Sequence, residues 1–259
     1  MEEKQKETVE KIGSIKEHLA HTATEQLMEF VQAYESDSRA GVQKLVETAR
    51  KRFDKLQQEK IRTESLKKYE KEYDNYTYIC GIDEVGRGPF AGPVVAAAVI
   101  LPKDCDILYL NDSKKLSEKK RELLYDEIYE KAVAIGIGMS SEEVIDEINI
   151  LQATYKAMQQ AISKLSIKPD LLLNDAVTIP DVEIEQVPII KGDAKSASIA
   201  AASIVAKVTR DRMMKEYDII YPGYDFAKNK GYGTKAHIEG IKKQGICDIH
   251  RRTFVKKYI

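Results

Sequence analysis

The chain has 259 residues, 43% of them hydrophobic, and a formal net charge of −1, which allows one large or two modest domains with a real core. It contains no run of about 18 apolar residues, so no transmembrane helix is expected, and its charged start, MEEKQKETVEKIGS, lacks the apolar segment of a secretory signal. The three scattered cysteines, Cys80, Cys105 and Cys247, form no CxxC pair, and the four histidines add no ligand spacing, so a reduced, cytoplasmic setting is expected and zinc is not.

In chain order, residues 1–73 are rich in Glu, Lys, Gln and Ala and contain no proline. They read as a helical N-terminal extension. Val42, Leu45, Val46, Ala49, Phe53 and Leu56 recur at spacings of three and four, an amphipathic stripe inside a long helical signal over 40–73. No cluster in it suggests catalysis. The second domain is expected over 74–259. A strand over 76–82 and an apolar strand over 94–101 flank a short turn, which predicts an antiparallel hairpin. A polar loop over 102–116 follows. Ser117 is placed to cap a helix over 118–132. A third strand is expected over 133–139, helices over 141–147 and 151–165, and a short buried strand over 171–173. A strand over 185–190 and helices over 196–217 and 235–243 complete the chain. Strands in a meander, then strands alternating with helices, define a mixed α/β layer fold.

Charge is distributed unevenly. Residues 77–190 hold 11 Lys and Arg against 19 Asp and Glu, and residues 191–259 hold 15 against 7. The basic C-terminal quarter can supply a phosphate-binding surface despite the neutral total, or can simply be a solvated face that complements the acidic half.

The chemistry concentrates in residues 78–89, YICGIDEVGRGP. An apolar strand there ends in Asp83 and Glu84, ahead of Gly86, Arg87 and Gly88. Strand-end carboxylates suit a hard cation, glycines permit close backbone approach, and arginine suits a phosphate. Asp83 and Glu84 can serve one site only if the strand ends there and the backbone turns; otherwise they are a surface acidic pair. Asp175 follows the apolar run 171–173, where ligand sites gather at the carboxyl ends of parallel strands, although a turn aspartate is common there. Asp193 precedes a helix and taken alone reads as an N-cap. Four such carboxylates can converge on two magnesium ions for in-line attack of water on phosphorus. Lys114, Lys115 and Lys195 lie in loops or at a helix start, where anions are favoured. Tyr232, between Gly231 and Gly233, can lay its ring on a sugar or base.

Four ordered blocks carry a family resemblance: GIDEVGRGPFAGPV at 81–94, DSKKL at 112–116, the segment from 191 (KGD) to Arg210 and Asp211, and GYGT at 231–234. Together they resemble bacterial type 2 ribonuclease H, ribonuclease HII, across residues 77–259. The resemblance implies a ribonuclease H-like fold, with a five-stranded mixed sheet flanked by helices and a C-terminal helical region. It implies Asp83, Glu84, Asp175 and Asp193 as ligands for Mg2+ or Mn2+. Gly86, Arg87 and Gly88 would read the 2′-hydroxyl of a ribonucleotide, and Tyr232 would stack on the adjoining deoxyribose. The intact Gly-Arg-Gly argues against type 3 enzymes. The Asp175 block reads Asn174, Asp175, Ala176, where the family pattern has Asp followed by Gly. The expected activity is endonucleolytic cleavage of RNA–DNA hybrids and of duplex DNA 5′ to a single embedded ribonucleotide, leaving 3′-hydroxyl and 5′-phosphate ends, by a monomer without a membrane partner. The rivals are a nuclease or recombinase acting on DNA alone, and a non-enzymatic hybrid-binding module.

Overall fold

The structure, a computed structural model, describes residues 10–259. It divides into two compact units, one ending at Arg62 and one running from Thr63 to Ile259. In the first unit, helices α1 (Ile12–His21), α2 (Leu27–Tyr34) and most of α3 (Ala40–Leu66) enclose a small core. Val42, Val46 and Ala49 of the predicted stripe are buried there with Ile15, Leu19, Leu27, Phe30 and Val31. Spacings of three and four place one face of α3 on α1 and α2, as the sequence pattern requires.

The helical signal over 40–73 is interrupted. Lys67 leaves helical geometry (φ −82°, ψ 15°), and a separate short helix, α4 (Lys68–Glu72), follows. The break brings Glu70 to the start of α7 (Ala197–Ile220). There Glu70 Oε1 accepts hydrogen bonds from Ser196 Oγ (2.6 Å), Ser198 N (2.9 Å) and Ser198 Oγ (2.7 Å). A carboxylate at a helix N-terminus satisfies free N–H groups and meets the positive end of the helix dipole.

The second unit is built on five strands, β1 (Ile79–Val85), β2 (Val94–Ile100), β3 (Ala134–Ser140), β4 (Leu171–Asp175) and β5 (Glu185–Ile189). Their order across the sheet is β3-β2-β1-β4-β5. β1, β2 and β3 pair antiparallel, whereas β1, β4 and β5 pair parallel, giving the five-stranded mixed sheet expected from the sequence. Side chains alternate across β2. Ala97 and Val99 pack with α5 (Glu118–Lys131) and α7. Val94, Ala96, Ala98 and Ile100 pack on the opposite face with α6 (Glu142–Ser163). α7 lies so close to β1 that a Cβ on Gly81 would fall 2.0 Å from the backbone carbon of Ser198. The small side chains of α7, such as Ser198, Ala200, Ala201 and Ala202, permit this approach. α6 contains the break predicted between two helices: Asn149 sits at φ 69°, and its Oδ1 accepts from Leu151 N and Gln152 N to restart the helix.

The C-terminal region adds α8 (Phe226–Asn229), α9 (Lys235–Gln244) and α10 (Arg252–Val255). They pack around Ala91, Met214, Tyr224, Phe226, Ile241, Ile249 and Val255. Among the described residues no helix is long and apolar enough to cross a membrane.

Candidate active site

β1 does not end at Asp83 and Glu84. Its antiparallel pairing with β2 continues through Asp83↔Ala97, Glu84↔Ala96 and Val85↔Val95. Its parallel pairing with β4 stops at Ile82↔Asn174. The two carboxylates therefore stand on a continuing strand, past the last paired residue of its parallel neighbour. Strand alternation sends Asp83 to the face covered by α7 and Glu84 to the opposite face. The strand expected over 76–82 runs on to Val85, and the turn comes at Gly86, φ +94°, as expected; the condition that the strand end at the pair is not met, and the two carboxylates are related instead through Asp175, which both sense.

Asp175 is the last residue of β4. Its Oδ1 accepts a 2.7 Å hydrogen bond from Gly192 N, which draws the 3₁₀ turn Gly192–Ala194 to the end of that strand. Asp193 lies in this turn. It does not cap α7: Ser196 does, accepting from Ile199 N at 3.2 Å. The ordinary explanation for Asp193 is thus taken by another residue. Asp83, Glu84, Asp175 and Asp193 all sit at the carboxyl end of the parallel strands, where open α/β sheets place their ligands.

The electrostatics are unfavourable for a site of anions alone. Asp83 is 6% exposed. Burial pushes its carboxyl well above the ordinary carboxylate range, and Glu84 and Asp175 add to this, while the Ser203 hydroxyl opposes it. Burial also raises Glu84, with Arg87 opposing and Asp175 adding. Asp193 is raised by burial, then by Asp112 and Asp175, with Lys114 opposing. Asp112 and Ser203 were not singled out in the sequence; the Ser203 hydroxyl also lies 3.0 Å from Ser113 Oγ, beside Asp112. Among the described residues no three acidic, imidazole or thiol groups enclose a single point as a metal cage. An all-oxygen donor set of mutually repelling, desolvated carboxylates is nonetheless the set a hard divalent cation takes.

The turn beside the carboxylates is held by two buried arginines. Arg251 donates from Nη2 to Gly86 O (2.5 Å) and Gly92 O (2.7 Å), and from Nη1 to Arg87 O (2.9 Å). Arg210 donates to Pro93 O (2.9 Å), Ala91 O (3.0 Å) and Lys230 O (2.8 Å). A Cβ on Gly86 would fall 2.3 Å from Arg210 Nε, so only glycine fits there. Burial lowers Arg210 to about 10 and Arg251 to about 9, the latter also through Arg210. Both remain cationic near neutrality. The expectation of a solvated or phosphate-facing basic quarter therefore fails for these two, which face backbone carbonyls inside the protein. In sequence, Arg251 is one of an adjacent Arg pair and carries no sign of burial.

Tyr232 meets this turn. A Cβ placed on Gly88 would lie 3.7 Å from Tyr232 Cε1, so the ring faces the glycine across a gap that a methyl group would fill. The ring is 43% exposed. Arg87 is exposed and pairs with Glu84 Oε1 at 3.3 Å. Lys114, Lys115 and Lys195 are exposed; of the three, Lys114 is the one Asp193 senses.

A mixed sheet with acidic side chains at the ends of β1 and β4 defines a ribonuclease H-like hydrolase. The family model for ribonuclease HII matches residues 80–257, and that for the ribonuclease HII N-terminal domain matches residues 11–74. Ribonuclease HII of Lachnoclostridium phytofermentans is 66% identical over 86% of this chain and 88% of its own. That of Enterococcus faecalis is 54% identical over 95% and 96%. Among solved structures, ribonuclease H2 of Pyrococcus horikoshii aligns with TM-score 0.58 and 27% identity over 70% of this chain and 96% of that one. The chain belongs to the ribonuclease HII family. It is a hydrolytic endonuclease with ribonuclease H activity on RNA–DNA hybrids, and the family depends on divalent metal.

Proposed function

We propose that this ribonuclease cuts both RNA–DNA hybrids and duplex DNA carrying a single ribonucleotide, 5′ to the ribonucleotide, leaving 3′-hydroxyl and 5′-phosphate ends. The observation that carries the reading is that the Tyr232 ring faces Gly88 across a gap a methyl group would fill, in the turn that follows the strand bearing Asp83 and Glu84. A ribose placed on the Gly86–Arg87–Gly88 backbone offers its 2′-hydroxyl to that backbone, the group that distinguishes RNA from DNA. The next sugar then falls under Tyr232, where a ring packed on a deoxyribose leaves no room for a second hydroxyl.

Asp83, Glu84, Asp175 and Asp193 would hold Mg2+ or Mn2+, which supplies Lewis acidity toward the phosphate and its departing 3′-oxygen. The residues themselves orient the scissile phosphate: Arg87 and Lys114 offset its charge, with Lys115 and Lys195 reaching flanking phosphates. Water attacks phosphorus in line, so no protein nucleophile is required. The chain acts as a monomer in the cytoplasm.

The test is cleavage, mapped to the nucleotide, of a DNA duplex with one embedded ribonucleotide beside an all-DNA duplex and a hybrid. Cleavage is expected 5′ to the ribonucleotide and in the hybrid, with the all-DNA duplex left intact. All-DNA cleavage at an equal rate would overturn the reading.

A further inference from the structure

Tyr232 is held by a chain of hydrogen bonds through two buried histidines. His237 and His250 are 0% and 2% exposed. His237 Nδ1 lies 3.0 Å from Tyr232 O, His237 Nε2 lies 2.9 Å from His250 Nε2, and Cys247 N lies 3.0 Å from His250 Nδ1. Cys247 Sγ and Cys247 O also lie 3.1 Å and 3.3 Å from His250 Nδ1, and one arrangement with neutral rings satisfies the whole chain. A carbonyl only accepts, so His237 Nδ1 carries hydrogen and its Nε2 offers a lone pair. His250 Nε2 therefore carries hydrogen and donates, and His250 Nδ1 accepts from the Cys247 N–H. Both rings are neutral in this arrangement, in keeping with the lowering of His237 by burial and of His250 to about 4 by burial and His237.

The same C-terminal segment grips the Gly86–Gly88 turn. Arg251 follows His250 and donates to Gly86 O and Arg87 O. Arg251 N donates to Phe90 O, Gly92 N donates to Ile249 O, and Phe90 N donates to Gly231 O, each at 2.8 Å. Residues 249–251 are thus tied to the glycine turn through Arg251 and to the Tyr232 loop through His250. Phe226 stands edge-on to His237 at 5.1 Å and Tyr224 edge-on to His250 at 4.9 Å, which keeps water from the pair.

We propose that His237 and His250 are positioning residues that set the height of the Tyr232 ring above Gly88, and so govern selectivity for a ribonucleotide followed by a deoxyribonucleotide. The inference rests on the reading of Tyr232 given above. His237 holds the Tyr232 backbone carbonyl, so a shift of that anchor moves the loop and carries the ring with it, and small misplacements of a substrate-positioning group are costly.

The experiment measures kcat and KM for the full chain with Mg2+ on a duplex with one embedded ribonucleotide and on an RNA–DNA hybrid. The proteins are wild type, His250→Gln, Tyr232→Ala and the double variant. His250→Gln is expected to lower kcat/KM on the single-ribonucleotide duplex by roughly tenfold, with a smaller loss on the hybrid. In the Tyr232→Ala background it is expected to add nothing, since residues acting through one another are non-additive. His237→Phe keeps the ring packing but removes both hydrogen bonds, and it serves if His250→Gln does not fold. His237→Asn, whose amide N–H falls near the Nδ1 position, is expected to recover part of the loss. Equal losses on both substrates, an undiminished loss in the Tyr232→Ala background, or wild-type kinetics in either histidine variant would overturn the proposal. A Tyr232→Ala enzyme that keeps full single-ribonucleotide cleavage would instead overturn the reading of Tyr232 itself.

Discussion

The two halves of the site are built on opposite electrostatic terms. At the carboxyl end of the sheet, burial first and neighbouring acidic groups second raise Asp83, Glu84 and Asp193, and little inside the protein offsets this beyond Arg87, Lys114 and Ser203. In the Gly86–Gly92 turn and the Tyr232 loop, two guanidiniums and two imidazoles have their polar atoms matched to backbone groups or to each other. The first region is arranged to gain stability from a bound cation. The second is satisfied internally and holds geometry. Binding chemistry and positioning chemistry are therefore separable by mutation.

The largest effect is expected from Asp83→Asn. Cleavage should fall on the order of 10³-fold, as for loss of a central electrostatic group. The metal-free variant should nevertheless melt higher than the wild type at neutral pH. Asp83 is raised in the folded protein above its unfolded value, so the folded chain binds more protons across that window. Stability then falls as pH rises from the ordinary carboxylate range through the raised folded value. Removing the charge removes that loss. Adding Mg2+ should raise the wild-type Tm more than that of the variant. A variant that melts lower than the wild type without metal would break the contrast.

Arg251→Met strikes the other region. It leaves the Gly86, Arg87 and Gly92 carbonyls without their buried donor, at a cost of roughly 3 kcal/mol in urea unfolding. Arg251→Lys should rescue little, because an ammonium lacks the planar fork that spans several carbonyls. A fully stable Arg251→Lys protein would show that the fork is not needed.

A smaller effect should appear in the pH dependence of Tm. His250 is lowered to about 4 in the folded protein, below the unfolded value of 6.5. The unfolded chain then binds more protons, so this contribution to stability is lost as pH falls from about 6.5 toward 4. The acidic cluster has the opposite slope, gaining stability as pH falls through its raised values. His250→Gln should flatten the acid-side loss, and Asp83→Asn should steepen it. Melting curves of the three metal-free proteins between those pH limits measure the difference.

The smallest change in stability is expected for Gly88→Ala. The new methyl meets Tyr232 Cε1 at 3.7 Å, an ordinary contact, so the Tm should move by no more than about 0.5 kcal/mol in equivalent stability. Cleavage at an embedded ribonucleotide should still drop, since the methyl occupies the approach of the ribose to the turn. Unchanged cleavage would place the ribose elsewhere.

Much of the fold was legible because it follows local rules. Ser117 and Ser141 cap α5 and α6 through their own hydroxyls, and apolar runs became strands at β2 and β4. The order of acidic residues and glycines along the chain pointed to the carboxylate end of the sheet, with a turn beside it, before any fold was known. Long-range partners were not legible. The meeting of Glu70 with Ser198, 128 positions away, follows the break at Lys67, and β1 runs on to Val85 in pairing with β2.

What the sequence determined by itself was the set of chemical groups, their order and the helical or extended habit of each segment, because caps and hydrophobic periods act over a few residues. Only the tertiary structure decided that Glu84 and Asp83 lie on opposite faces, that two cations of the basic quarter are interior, and that two histidines pair behind Tyr232. Arg251 and Gly86 are separated by 165 positions; burial and hydrogen bonding between such distant residues exist only once the sheet and the C-terminal helices have packed.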